Sequence, residues 1–141
     1  MEKIKKVVLD ASIVVKWFSF EEYSDRALKL MEMYGEGDLD LMAPSLLPYE
    51  VGNALRYNPG FGIEDVKEAL NALEDLQIRL YPPKKDVIDR AIELAFTYGF
   101  TIYDSSYIAV AEISGSTYYT ADEEVVRKVS KEFVRHISEL A

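Results

Sequence analysis

The chain has 141 residues, 49% of them hydrophobic, which fits a single domain spanning residues 1–141 around one core. It has no cysteine, which excludes disulfides, thiol nucleophiles and thiolate metal sites, and one histidine, His136, which argues against zinc. The formal charge of -9 argues against a broad cationic surface for nucleic acid, although acids gathered around a divalent ion leave a site open to a phosphate substrate.

In chain order, the basic opening MEKIKK leads only into the short run VVL, too short for a signal-peptide core, and no run is long enough to cross a bilayer, so a cytoplasmic location is expected. Ile4 to Leu9 reads as a buried strand ending at Asp10, followed by helical turns through ASIVVKWFSF. Glu21 to Tyr34 reads as a helix stopped by Gly35, and Leu41 to Ala43 as a second strand. APSLLPYEVGNAL predicts a helix to about Tyr57, with Ser45 as N-cap and Pro48 in its first turn, broken by NPGFG. Ile63, Val66, Leu70, Leu73 and Leu76 recur at helical spacing, so Ile63 to Leu76 is an amphipathic helix. QIRLYPP predicts a third strand, Asp86 to Tyr98 a helix ended by Gly99, and Phe100 to Tyr103 a fourth strand. Asp104 to Ile113 is then a helix, Thr117 to Thr120 a fifth strand and Asp122 to Lys131 a last helix. Short apolar strands alternating with helices predict an α/β fold, a mostly parallel five-stranded sheet covered on both faces.

On this reading three strands run up to an aspartate: VVLD gives Asp10, FTIYD gives Asp104 and YYTAD gives Asp122. Each opens a helix, and Asp is a favoured N-cap, so each has an ordinary explanation taken singly. Right-handed crossovers nevertheless place the strand ends on one edge of the sheet, where the three carboxylates converge and repel unless protonated or neutralised. An oxygen-only set of this kind suits Mg²⁺ or Mn²⁺. Glu50 is a fourth candidate: it shares a helix face with Asn53 and Ala54, opposite the apolar stripe Leu47, Val51 and Leu55. Ser12 and Thr120 offer hydroxyls to the same pocket or to local backbone. Arg56 and Lys16 read as solvated charges, either of them in reach of a phosphate at the rim. Trp17, Phe18, Phe20 and Tyr23 form an aromatic cluster, mostly core, whose exposed part can dock a partner or stack a base.

With these motifs in this order, the chain resembles the PIN-domain ribonucleases, and most closely their small VapC toxins. VVLDASIVVKWF is similar to the family's first strand and acid, APSLLPYEVGNAL to its proline, glutamate and asparagine helix, and YDSSYIAVAEISG and YYTADEEV to its two later acid motifs. The resemblance implies a PIN-like three-layer α/β/α fold. It implies an acidic metal site of Asp10, Glu50, Asp104 and Asp122 with Ser12 as polar neighbour, Mg²⁺ or Mn²⁺ as cofactor, and an RNA substrate. It further implies a homodimer and, as in toxin pairs, an antitoxin whose tail occupies the active-site groove.

Three other classes fit less well. A nucleophilic-aspartate phosphatase expects a second aspartate where Ser12 stands, and a receiver-type signalling domain expects adjacent acids after the first strand, where Asp10 is alone. A PIN module that only binds protein is separated from a nuclease by metal-dependent RNA cleavage. A triad built on His136, near the C-terminus in FVRHIS, is disfavoured against a packing or surface histidine.

Overall fold

The computed structural model describes residues 5–140; Ile4, expected to open the first strand, lies outside the described residues. The chain runs β1 (Lys5–Leu9), α1 (Ala11–Phe18), α2 (Ser24–Gly35), β2 (Leu39–Pro44), α3 (Leu47–Arg56), α4 (Ile63–Asp75) and β3 (Arg79–Tyr81). It continues with α5 (Lys85–Tyr98), α6 (Ile102–Ser114), β4 (Thr117–Thr120), α7 (Glu123–Val129), β5 (Val134–His136) and a 3-10 turn, Ile137–Glu139. The strands form one sheet in the order β3-β2-β1-β4-β5, every pair of it parallel. The architecture is the expected three-layer α/β/α, PIN-like fold. Among the described residues no helix is long and apolar enough to cross a membrane.

The topology positions the site. The chain lays β1, β2 and β3 outward in one direction, then returns through α5 and α6 to place β4 and β5 on the other flank of β1. Strand order therefore reverses between β1 and β4, the place outside whose carboxyl ends open α/β sheets bind their ligands. In the central strand β1, Val7, Val8 and Leu9 are at most 3% exposed. Burial on both faces is why this strand is a continuous apolar run rather than an alternating one.

α6 is buried over seven consecutive residues, Ser105 to Ala111. A helix apolar around its whole circumference has to be enclosed, and α6 is, by β1, β2 and β4 on one side and α5 on the other. Ser105, Ser106, Ala109 and Ala111 of α6 and Ala91 and Ala95 of α5 are small and buried, which suits close packing of the two helices, while fully buried Ile108 and Val110 each contribute about 1.5–3 kcal/mol.

The expected strand at Phe100 to Tyr103 is not formed; this segment instead starts α6. Gly99, at φ 74°, ends α5 in the left-handed conformation, and Thr101 Oγ1 already accepts the backbone N–H of Asp104 at 3.0 Å. The T-x-x-D cap starts a helix at once and overrides the β preference of Phe, Thr, Ile and Tyr. Thr101→Ala is expected to lower stability by about 1 kcal/mol, read as a lower denaturant midpoint with an unchanged m-value. The fifth strand is instead Val134–His136 at the sheet edge, three residues without a readable alternation.

Smaller corrections have local causes. α3 has Leu46, not Ser45, at its N-cap, because the Ser45 N–H donates to the Tyr81 carbonyl at 2.8 Å and ties β2 to β3. α2 begins at Ser24, after Tyr23 turns left-handed at φ 66°. Lys16 is not solvated: it is 8% exposed and pairs with Glu21 at 3.3 Å. Arg56 is exposed and lies over the Tyr57 ring. Of the aromatic cluster, Trp17, Phe18 and Tyr23 pack on the core and Phe20 is almost fully exposed. His136 is a packing residue, edge-on to the Tyr23 ring at 5.3 Å. On α3, Leu47, Val51 and Leu55 are fully buried, leaving Glu50, Asn53 and Ala54 on the outer face as expected.

Candidate active site

The three aspartates play three different structural parts. Asp10 follows β1 at the N-cap position of α1, yet its carboxylate makes no capping bond. Its Oδ1 accepts the Ser12 hydroxyl at 2.5 Å, and its Oδ2 accepts the hydroxyls of Tyr118 at 2.5 Å and Thr120 at 2.6 Å. The same hydroxyls go on to accept backbone N–H groups, Ser12 Oγ from Ala121 at 3.0 Å and Thr120 Oγ1 from Asp122 at 3.1 Å. The ends of β1 and β4 are thus knotted together around one carboxylate. Burial pushes the Asp10 carboxyl above its ordinary value, and the hydroxyl donors pull against that rise without cancelling it.

Asp122 is the true cap: its Oδ1 accepts the N–H groups of Glu124 at 3.0 Å and Val125 at 3.4 Å at the start of α7. Asp104 is neither a cap nor a strand end, but lies in the exposed first turn of α6, where the helix dipole favours an anion. Partial burial raises its carboxyl first, and the negative charges of Asp10 and Asp122 raise it further, against a hydrogen bond to Thr101. Glu50, half-buried on α3, accepts the Tyr107 hydroxyl on Oε1 at 2.6 Å. Desolvation raises this carboxyl as well, Tyr107 opposes the rise, and Asp104 and Asp10 add repulsion.

The charges of Asp10 and Asp122 thus reach Asp104, and those of Asp104 and Asp10 reach Glu50. Among the described residues, none of the four pairs with a lysine, arginine or histidine. Convergent acids without a protein counter-charge raise one another's pKa values, and the donors are all hard oxygens, the set suited to Mg²⁺ or Mn²⁺. Among the described residues no three acidic or histidine side chains stand close enough to hold an ion as placed. Asp10, Glu50 and Asp122 each direct oxygen at a protein donor. The donor chemistry fits a divalent ion, and loading would require the more exposed side chains to close in on the anchored Asp10.

Two residues that motif reading missed complete the pocket. Tyr107 and Tyr118 are each 2% exposed, and their rings stack at 6.1 Å between centroids. Desolvation and the adjoining carboxylates hold both phenols well above their ordinary range, so they remain hydrogen-bond donors at neutral pH. Their signal in the sequence was spacing alone: Tyr118 lies two residues before Thr120 on one strand face, and Tyr107 lies one helical turn past Asp104. Asn53 is exposed and borders the same crevice one turn along α3 from Glu50.

The PIN domain family matches residues 7–132. The chain is 33% identical over 131 residues to ribonuclease VapC3 of Pyrobaculum aerophilum, which covers 87% of this chain and 94% of that protein. It is 34% identical over 80 residues to exonuclease VapC9 of the same organism, covering 57% of this chain and 60% of that one. Its backbone is similar to a chain in a toxin-antitoxin complex from Klebsiella pneumoniae, with TM-score 0.66 and 14% identity over 89% of this chain and 92% of that chain.

Proposed function

The chain belongs to the PIN-domain family, and from that premise we propose that it is a metal-dependent ribonuclease that cuts RNA phosphodiester bonds internally, and the toxin of a toxin-antitoxin pair. The observation that carries this reading is that Asp10 and Asp122 lie near enough for their charges to act on Asp104, and Asp104 and Asp10 near enough to act on Glu50, while among the described residues none of the four pairs with a protein cation. Similarity to a protein named as a ribonuclease supports the substrate class. Similarity to a chain from a toxin-antitoxin complex supports a small antitoxin as partner. A homodimer and a cytoplasmic location complete the proposal.

Asp10, Asp104, Asp122 and Glu50 are the residues that would hold Mg²⁺ or Mn²⁺. When bound, such an ion supplies charge neutralisation and activation of water near neutral pH. Asp10 is the fixed member, its oxygens aimed by Ser12, Tyr118 and Thr120. Asp104, more exposed in the first turn of α6, would hold the ion together with Asp10, and Asp122 would hold it from the other side of the site. Glu50, with a raised carboxyl and a single tether to Tyr107, orients the attacking water and takes its proton.

Incubating the purified protein with linear and circular RNAs tests this. Both are expected to be cut in Mg²⁺ or Mn²⁺ and spared in EDTA; an intact circle beside a trimmed linear RNA would make the enzyme an exonuclease. Cleavage that persists unchanged in EDTA would refute the metal site.

A further inference from the structure

We propose that Tyr49 and Tyr103 form a nucleobase subsite beside Glu50, in which an unpaired base next to the scissile phosphate stacks on an exposed tyrosine ring and presents its edge to Asn53. This rests on the ribonuclease reading and adds substrate-positioning residues to it.

On α3, Leu46, Tyr49, Glu50 and Asn53 recur at i, i+3, i+4 and i+7, one continuous stripe. On α6, Tyr103 precedes Tyr107, the residue bonded to Glu50, by one turn. The two stripes meet in a cleft of about 430 Å³ lined by Leu46, Tyr49, Glu50, Asn53 and Tyr103. One wall of this cleft is therefore a candidate catalytic carboxylate, and its other walls are aromatic, apolar or amide.

Neither ring serves the fold. Tyr49 is 83% exposed and Tyr103 66%, in contrast to the buried Tyr107 and Tyr118. Among the described residues neither ring pairs with another aromatic and neither hydroxyl has a hydrogen-bond partner. Single exposed aromatics are common, but two from different helices opening on one cleft with a carboxylate wall form a surface continuous with the active site.

Electrostatics selects the occupant. A cleft walled by Glu50 disfavours acidic protein segments, whereas a nucleobase is planar and uncharged. With the scissile phosphate at the carboxylates, the adjoining base falls within one nucleotide of the cleft. Stacking accepts any base, and the Asn53 amide, with one acceptor and two donors, adds an edge contact that favours some bases over others.

The test uses a single-stranded RNA that the wild-type protein cleaves, carrying 2-aminopurine beside the cleaved bond. Tyr49→Ala and Tyr103→Ala are each expected to raise KM about ten-fold, with kcat changed far less and the unfolding midpoint unmoved. That split marks a contact made equally in ground and transition states. Tyr49→Phe and Tyr103→Phe are expected to restore KM, because the ring rather than the hydroxyl does the stacking. Binding to the Asp104→Asn protein is expected to change 2-aminopurine fluorescence, and adding either alanine substitution is expected to abolish that change. Unchanged KM and an unchanged fluorescence response in the alanine variants of a cleaving enzyme would overturn the subsite, leaving the cleft to a protein side chain, while the ribonuclease reading stands. Failure of the wild type to cleave any RNA in Mg²⁺ or Mn²⁺ would overturn both.

Discussion

Asp104→Asn is expected to reduce RNA cleavage by about 100-fold, since groups that only hydrogen-bond a metal's ligands already matter by about 10–100-fold and a ligand matters no less. The same substitution is expected to leave the metal-free protein as stable as the wild type or more so. Asp104 sits in an exposed helical turn, its carboxyl raised by partial burial and by the charges of Asp10 and Asp122. Neutralising it removes repulsion without opening a cavity, and Thr101 still caps α6 through the Asp104 backbone N–H. Initial cleavage rates and an unfolding curve in EDTA, taken on both proteins, check the two halves separately. A variant that lost activity and stability together would assign Asp104 a structural role and remove it from the chemistry.

The second large effect is the response of stability to metal and pH. At an ion concentration a hundred times its dissociation constant, binding to the native state alone adds about 2.7 kcal/mol, or several degrees in the unfolding midpoint of a chain this size. Asp10, Glu50 and Asp104 all have carboxyls raised above their ordinary values. A group whose pKa is higher folded than unfolded contributes stability that is fully present below its unfolded value, near 4, and is lost as pH rises through the folded value. In EDTA the wild type should therefore gain on Asp104→Asn as pH falls from neutrality towards the ordinary carboxylate range. The ion acts in the opposite sense, because it binds the ionised groups: its stabilising increment should be largest at neutral pH and fade as they protonate. Scanning calorimetry with Mg²⁺, Mn²⁺ and EDTA across that range reads both trends. A metal increment independent of pH would place the ion away from these acids.

Much of the molecule was legible in one dimension because the governing interactions are local. The run VVL identified a strand buried on both faces, and the spacing of Ile63 to Leu76 located α4 to within a residue. The stripe of Leu47, Val51 and Leu55 put Glu50 and Asn53 on the outer face of α3. The motif order also pointed to the four acids. It misled at FTIYD, where a four-residue cap competed with β preference and won, so that an aspartate expected at the end of a strand stands in the first turn of a helix. It was silent at Val134–His136, because an edge strand of three residues carries no period.

What the sequence alone determined is therefore most of the helices, the central strands and which acids to propose for the site, since helix and strand periods, caps and breakers act over a few positions. Only the tertiary structure decided which acid is anchored, which caps and which is free: the hydroxyls of Tyr118 and Thr120 reach Asp10 from more than a hundred residues away, at separations of 108 and 110. Tyr107 meets Glu50 across 57 residues by the same long-range closure of sheet and helix. Such contacts leave no periodic trace, because the chain between them is positioned by packing of the whole core and not by any neighbour in sequence.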